Sequence, residues 1–313
     1  MNTLLRRLRA IHWDPAHWAR VSLRTLAKAL ARLWGRDVML YTGGVSFFIM
    51  LAIFPALAIL IGVYSLLADP TQAAQQGEMV AKIMPAAAQV IFQGELMRLT
   101  SASREAVSLQ SGVALIIGAY AAHRGFKALL AGLSFIHDED EPRGFVGFNL
   151  LALAVLIATF AMMGALSLVF FGFRIMGETF ELRPLRGALW LYSEWTWASV
   201  GMTLGMSLIY RWAMSRRPVD WRASLLGGAA AAAMCIFASW GLGFYVEQIA
   251  HLGPTYGSVA TVVIFLIWLS WNVNALFFGG ALATEVELAI DRQHVLTLAD
   301  LGGARPMASR RGS

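Results

Sequence analysis

The segment from Pro254 to Glu287 constrains the fold of this chain more than any other part of the sequence. Between Val259 and Leu282 it contains no ionisable residue, and a helix needs only about 20 apolar residues to cross a bilayer. Two asparagines, Asn272 and Asn274, nevertheless lie within it. An amide that is buried without a hydrogen-bond partner costs about 1–3 kcal/mol. We therefore expect this helix to lie against other protein or against a wet cavity.

The polar and small residues of this segment fall on two sides of a helix. At 100° per residue, Asn274 shares one side with Ser270 and Glu285, while Asn272 shares another side with Gly279. Membrane helices use small residues to approach one another and polar residues to hydrogen-bond across the contact. A helix with such residues on two sides is predicted to lie near the middle of a bundle.

The composition identifies the class of protein. The chain has 313 residues, of which 58% are hydrophobic and 14% charged, whereas soluble domains have about 25% charged residues. No segment alternates apolar and polar residues as a membrane barrel strand does. The predicted fold class is all-α, a polytopic membrane helical bundle with six transmembrane helices plus an N-terminal amphipathic helix. The six spans are predicted at residues 39–68, 107–136, 145–173, 188–214, 223–249 and 256–287.

The basic residues predict the orientation of the bundle. Of the 25 lysines and arginines, 19 precede the first span, follow the last, or lie between spans 2 and 3 or 4 and 5. Because cytoplasmic loops carry the excess of Lys and Arg, both termini are predicted to be cytoplasmic. The orientation of the spans accounts for the net charge of +6, because the basic excess lies on the predicted cytoplasmic side. We therefore expect no nucleic-acid partner. The Arg-rich first 38 residues lack the apolar core of a cleavable signal peptide.

Three segments flank or connect the spans. Residues 1–38 are predicted to contain an amphipathic helix that starts at Pro15, because Arg20, Arg24, Lys28 and Arg32 recur every four residues. Its basic face either contacts anionic phospholipid headgroups, or the helix docks on the cytoplasmic end of the bundle. The outer connection 69–106 is predicted to form two short helices broken at Pro85, which cap a cavity or pack on the span ends. Residues 291–313 are predicted to be a mostly disordered cytoplasmic tail.

Five residues in the spans are candidates for lining a substrate path between spans 1, 2 and 6. Pro55 should kink span 1 because it removes a backbone N–H, and small polar residues precede it. An ionisable group in a span is a functional candidate by default. Each of these residues also has a plain packing role as its alternative. The candidates are Ser46, Pro55, His123, Asn272 and Asn274.

Glycines mark the predicted helix contacts. Gly201 and Gly205 form a small-xxx-small pair in span 4, and Gly279 and Gly280 are adjacent in span 6. Such residues let helices approach closely, either within one chain or in a homodimer. The acidic run that begins at His137 is predicted to be a solvated turn. No catalytic motif, cofactor loop or metal-binding set occurs, so we expect no enzyme, no cofactor and no metal.

Three stretches resemble the YihY / virulence factor BrkB family of bacterial inner-membrane proteins, historically misnamed ribonuclease BN. They are YTGGVSFFIMLAIFPAL from Tyr41 to Leu57, the entry to span 5 from Arg222 to Gly228, and the segment from Tyr256 through Trp268 to Ala281. The resemblance covers roughly residues 25–290 and implies six spans with both ends cytoplasmic. The family commonly has Glu directly after the Gly-Ala of span 6, where this chain has Leu282, with Glu285 one turn later.

Two functions are compatible with these features. The favoured hypothesis is a transporter, or a lipid- or envelope-related membrane protein, of unknown substrate. The alternative is a non-catalytic envelope assembly or structural protein whose polar span residues hold the bundle together. A ribonuclease is the least favoured, because hydrolytic nucleases need metal-binding carboxylates or an acid/base pair in water, and the cytoplasmic loops offer only the run after His137.

Overall fold

The computed structural model of this chain describes residues 15–34, 38–67, 93–94, 97, 104–137, 144–179, 194–214, 217–248 and 259–301. Within these ranges the chain forms long helices and no strand. The helices are α1 (Pro15–Trp34), α2 (Val38–Leu67), α3 (Arg104–Ile136), α4 (Gly144–Thr179), α5 (Glu194–Trp212), α6 (Trp221–Gln248) and α7 (Val259–Leu301).

The all-helical membrane fold class is confirmed. Three stretches of the described chain are long and apolar enough to cross a membrane: Gly144–Phe170 in α4, Trp221–Tyr245 in α6 and Val262–Arg292 in α7. A fourth is present if the bent pair Leu23–Trp34 and Val38–Ile53 is one span. The count of six spans stays a prediction.

One predicted boundary differs from the observed helices. The helix α7 continues to Leu301, so helix occupies the first part of the segment 291–313, which is predicted from the sequence to be a mostly disordered tail. The start of span 4 at residue 188 and nearly all of the outer connection 69–106 lie outside the described residues. Pro55 lies inside α2, as predicted.

The helix α7 lies at the centre of the bundle. It packs against α1, α2, α3, α5 and α6, in agreement with the two-sided distribution of its polar and small residues. The four largest side chains that are fully buried surround this helix or belong to it: Tyr210 of α5, Phe277 of α7, and Leu130 and Leu133 of α3.

The contact between α6 and α7 is a backbone contact. A Cβ atom on Gly227 would lie 2.5 Å from the carbonyl oxygen of Gly279, and one on Gly279 would lie 2.6 Å from the carbonyl oxygen of Gly227. The two helices therefore touch where neither has a side chain. Beside this contact, the Tyr210 hydroxyl of α5 donates a hydrogen bond to the carbonyl of Leu276 of α7 at 2.6 Å.

At the contact between α7 and α3, glycines of each helix face large side chains of the other helix. A Cβ atom on Gly132 would lie 2.6 Å from the ring of Phe277, and one on Gly280 would lie 2.6 Å from Leu133. Each glycine thus makes room for a side chain of the facing helix. The two contacts lie within about one turn of each helix.

The helix α4 is the most peripheral of the apolar helices. One part of it packs on α5, where a Cβ on Gly201 would lie 2.8 Å from Leu166 and one on Gly205 2.6 Å from Met162. The part nearer to Gly144 contacts α3. Gly201 and Gly205, like Gly279 and Gly280, therefore meet partners in the same chain.

The glycine contact between α6 and α7 leads to a stability prediction. Gly227→Ala would push a methyl group into the Gly279 carbonyl, so the variant should lose about 3 kcal/mol of unfolding free energy, at the upper end of overpacking costs. Gly241→Ala in the same helix is the control, because a Cβ there meets nothing within 4 Å and alanine is the better helix former. Unfolding in mixed micelles measures both. Equal stability of the two variants would contradict the contact.

Candidate functional site

The amide of Asn274 is paired with α2. The Thr42 hydroxyl lies 3.0 Å from Asn274 Oδ1 and 3.2 Å from the carbonyl oxygen of Val38 in its own helix. The single hydroxyl hydrogen serves one of these acceptors at a time. One turn away, the Ser270 hydroxyl donates to Ser46 Oγ at 3.4 Å. These polar residues join α7 to α2.

The side-chain amide of Asn272 bonds to its own helix, since Nδ2 donates to the carbonyl oxygen of Trp268 at 2.8 Å. The backbone carbonyl oxygen of Asn272 faces α6, where the thiol of Cys235 lies 3.6 Å away. The indole N–H of Trp268 donates to Ser239 of α6 at 3.0 Å. The two asparagines thus lie on two contacts of α7, one with α2 and one with α6.

A cavity of about 1130 Å³ lies between α2, α3, α4, α5 and α7. Among the residues that the structure describes, its lining is almost entirely aliphatic and aromatic, and the one polar side chain, Thr159, donates its hydroxyl hydrogen to the Val155 carbonyl at 2.8 Å. Small-molecule pockets are commonly about 300–1,000 Å³ and use a few unpaired polar groups to orient the ligand. This cavity is of that size or larger, and no described side chain of the lining has a hydrogen-bond donor left to orient a polar solute.

The cavity opens sideways between α3 and α4. Three of its lining residues are strongly exposed, Leu115 by 53%, and Ile157 and Phe160 by 59% each. All three belong to these two helices. Because the helices are apolar over this length, the opening faces the region that lipid chains occupy in a membrane.

The five predicted path residues are not brought together around this cavity. Ser46, Asn272 and Asn274 belong to the contacts of α7, and Pro55 packs on α3, where its side chain lies 2.6 Å from the Cβ position of Gly118. His123 belongs to a third place, the contact between α3 and α4. None of the five lines the cavity.

A polar cluster joins α3 to the beginning of α4, and we call it the seam cluster: His123, Lys127 and Asn149. Asn149 Oδ1 accepts a hydrogen bond from Lys127 Nζ at 2.8 Å and lies 3.2 Å from His123 Nε2. The amide nitrogen of Asn149 donates to the Phe145 carbonyl at 2.6 Å, which fixes Oδ1 as the acceptor. His123 is one of the candidates predicted from the sequence, whereas Asn149 is not.

The cluster also contains aromatic rings. The ammonium of Lys127 lies 5.2 Å from the ring centroid of Phe145 and 5.8 Å from that of Phe148. Both rings belong to the first turns of α4. A cation within about 6 Å of an aromatic face is attracted by its quadrupole, so the rings hold the lysine at the seam.

A salt bridge joins α1 to the centre of the bundle. Arg32 donates from Nη2 and Nε to Glu285 Oε1 at 2.6 and 2.9 Å, and from Nη1 to the carbonyl of Ile136 at 3.0 Å. The side chains are only 13% and 11% exposed. Arg32 therefore satisfies one of the terminal carbonyls of α3 while it pairs with the acid of α7. Docking of α1 on the bundle was the alternative in the sequence analysis, and the structure shows it.

His137, directly after α3, joins the end of α3 to α7. Its Nδ1 lies 2.9 Å from the Thr284 hydroxyl and its Nε2 3.7 Å from Glu287. The acidic residues that follow it, from 138 to 141, lie outside the described residues. Among the residues that the structure describes, no group of three or more His, Cys, Asp or Glu side chains is arranged to hold a metal ion.

Comparison with known proteins gives a family match. Residues 29–298 match the family model described as Virulence factor BrkB. The ribonuclease-like protein YfkH of Bacillus subtilis is 23% identical over 239 residues, which is 75% of this chain and 85% of that protein.

Shorter matches are found with larger membrane proteins. A UPF0761 membrane protein of Paraburkholderia xenovorans is 33% identical over 86 residues, 26% of this chain and 20% of its own length. One of Alkalilimnicola ehrlichii is 41% identical over 76 residues, 24% of this chain and 17% of its own length. No solved structure matches.

The salt bridge between α1 and α7 leads to a prediction. Arg32→Ala leaves Glu285 buried without its partner, so it should lower the unfolding free energy by about 3 kcal/mol, the usual cost of breaking a buried pair. Arg24→Ala removes an exposed arginine of the same helix. This control should change the unfolding free energy by less than about 0.5 kcal/mol. Protease sensitivity of the α1–α2 junction provides a second measurement. Similar values for both variants would refute the docking.

The pair Thr42 and Asn274 gives a prediction for the amides. In a double-mutant cycle of Thr42→Val and Asn274→Leu, we expect a coupling energy of about 0.6–1.7 kcal/mol, the range measured for hydrogen bonds between membrane helices. The Asn272→Leu and Thr42→Val pair is the control, because Asn272 bonds its own helix. A coupling energy of zero for Thr42 and Asn274 contradicts the hydrogen bond between them. Equal coupling energies for this pair and the control pair contradict it as well.

Proposed function

The chain belongs to the Virulence factor BrkB family, and we propose that it is a lipid-handling membrane transporter, which takes a membrane lipid into the cavity and lets it leave at another position. The apolar cavity with its lateral opening supports this proposal most directly. The opening between α3 and α4 gives a lipid chain access without passage through water.

The lining favours a lipid over a water-soluble substrate. A polar solute that enters an apolar cavity loses its hydrogen bonds to water, at a cost of about 1–3 kcal/mol for each unpaired group on the scale of protein mutations. Thr159, the only polar side chain among the described lining residues, already donates its hydroxyl hydrogen to its own helix. An acyl chain has no such groups and enters at little cost.

The same proposal includes the topology and the surroundings. We propose six spans, location in the bacterial inner membrane and both termini in the cytoplasm, as the distribution of Lys and Arg indicates. Arg24 and Lys28 are exposed on α1, so they are free to contact anionic headgroups while Arg32 holds the helix on the bundle.

A homodimer would use the exposed apolar face of α4, since Gly201 and Gly205 are covered within the chain.

A second function, a non-catalytic envelope assembly or structural protein, is favoured by a different observation. Both asparagine amides of α7 make hydrogen bonds within the bundle, as expected of residues that serve packing alone. We propose that neither function is enzymatic. The name of YfkH includes the word ribonuclease, and that name belongs to YfkH.

Filling the cavity tests the transport function. Ala122 lines the cavity from α3, and Ala122→Trp should lower the exchange of a fluorescent phospholipid between the leaflets of proteoliposomes by about tenfold, equivalent to about 1.4 kcal/mol. The indole would occupy the space that the acyl chain requires. A dithionite quenching assay measures the fraction of labelled lipid in each leaflet.

The control is a tryptophan on the other side of a cavity-lining helix. Ala158 lies on the exposed side of α4 and does not line the cavity, so Ala158→Trp should exchange lipid at the wild-type rate. Exchange by wild-type protein that equals protein-free vesicles would refute transport and leave the structural function. If lipid exchange falls equally in both variants, the exchange activity does not depend on the cavity.

A further inference from the structure

We infer that the seam cluster binds the phosphate of an anionic phospholipid through Lys127 while an acyl chain of the same lipid occupies the cavity. This inference rests on the proposed function and names the substrate class. It concerns the seam between α3 and α4, which is distinct from the basic face of α1.

The ammonium of Lys127 has donors to spare. It donates one hydrogen bond, to Asn149 Oδ1 at 2.8 Å, and an ammonium has three N–H groups. The rings of Phe145 and Phe148 flank it. No carboxylate contacts it among the side chains that the structure describes. The charge is therefore oriented by the protein and not neutralised by those side chains.

The level of Lys127 along the bundle suits a lipid headgroup. Its ammonium lies beside the first turn of α4, since it contacts the ring of Phe145. The apolar span of α4 begins at the same turn, at Gly144, so Lys127 lies at one end of that span. A cation within a bilayer is costly unless it meets an anion or water, and lipid phosphates lie at the ends of such spans.

The imidazole of His123 leaves one buried nitrogen without a partner. Because Asn149 Oδ1 is an acceptor, the Nε2 atom of the ring donates to it. The Nδ1 atom is enclosed and has no partner within the described part of the chain. Buried polar atoms are normally paired, so a hydroxyl group or a water molecule that enters the seam would complete the cluster.

The seam cluster lies at the edge of the cavity. On α3, Phe126 and Leu129 line the cavity on either side of Lys127 in the sequence. On α4, Asn149 precedes the lining residue Leu156 by seven residues, which is two turns on one face of the helix. A lipid whose phosphate contacts Lys127 can therefore extend a chain into the cavity.

The energetics assign selectivity to the headgroup. Lipid chains are as apolar as the side chains of the lining, so an acyl chain gains little when it moves from bilayer to cavity. A charge-assisted hydrogen bond between an ammonium and a phosphate is among the stronger polar contacts. The seam cluster, and not the cavity, then distinguishes anionic from zwitterionic lipids.

The test is lipid retention by the full chain. Protein is reconstituted in nanodiscs with equal amounts of phosphatidylglycerol and phosphatidylcholine, released in mild detergent, and its bound lipids are counted by native mass spectrometry. We expect wild type to retain phosphatidylglycerol preferentially. In Lys127→Gln the ratio of the two lipids should fall about fivefold, the effect of one lysine near anionic lipid. Lys127→Arg should keep the preference.

Arg124→Gln is the matched control. Arg124 lies one turn away, is exposed, and is bonded to the Tyr120 hydroxyl at 3.1 Å, so its loss removes the same charge and should leave the ratio unchanged. If Lys127→Gln does not fold, Lys127→Met, which retains the aliphatic stem, replaces it. An unchanged ratio in the folded variant, or the same decrease in Arg124→Gln, overturns the inference.

The outcomes also distinguish this inference from the proposed transport. Leaflet exchange of phosphatidylcholine by wild type reports transport alone. Exchange together with a ratio that does not depend on Lys127 overturns the headgroup site and leaves transport intact. A ratio that depends on Lys127 without any exchange supports the headgroup site and refutes transport.

Discussion

Helices in a bilayer gain nothing from hiding apolar surface from one another, because lipid is as apolar as their side chains. Their positions therefore depend on close contact and on polar pairs. In this chain the decisive contact is the one between the backbones of α6 and α7 at Gly227 and Gly279. It fixes the axis of α7, and every other contact of that helix follows from the axis. Phe277 then reaches the groove at Gly132, and Glu285 reaches Arg32 on α1.

The helix α4 shows the opposite case. It is held near its start by the seam cluster and farther along by side chains that meet Gly201 and Gly205 of α5. Between these two attachments it lacks a close contact with α3, and the cavity occupies the space. A cavity in a membrane protein costs less than one in a soluble core when lipid chains can fill it. The lateral opening at Leu115 and Ile157 permits this.

The sequence predicted the helical membrane class and the central position of α7, because both depend on patterns within one segment. The Arg32–Glu285 pair joins residues that are 253 positions apart, and no local pattern connects them. The cavity was also beyond prediction, since alanine, glycine and leucine line it as they line any membrane helix. Asn149, in contrast, could have been predicted from the sequence. It is an amide in an apolar span, as are Asn272 and Asn274, and the same criterion identifies all three.

The polar groups of α7 differ from those of the seam cluster. Those of α7 are paired with its neighbours, and Asn272, Asn274 and Glu285 have partners that come from this chain. Those of the seam cluster are paired only in part, because Lys127 retains unused donors and His123 retains an unpaired nitrogen. Polar groups that hold a bundle together are satisfied by the bundle, whereas groups that act on a ligand retain capacity for it. This difference is why we place the proposed ligand contact at the seam cluster, beside the cavity, and assign the polar residues of the central helix α7 to holding the bundle together.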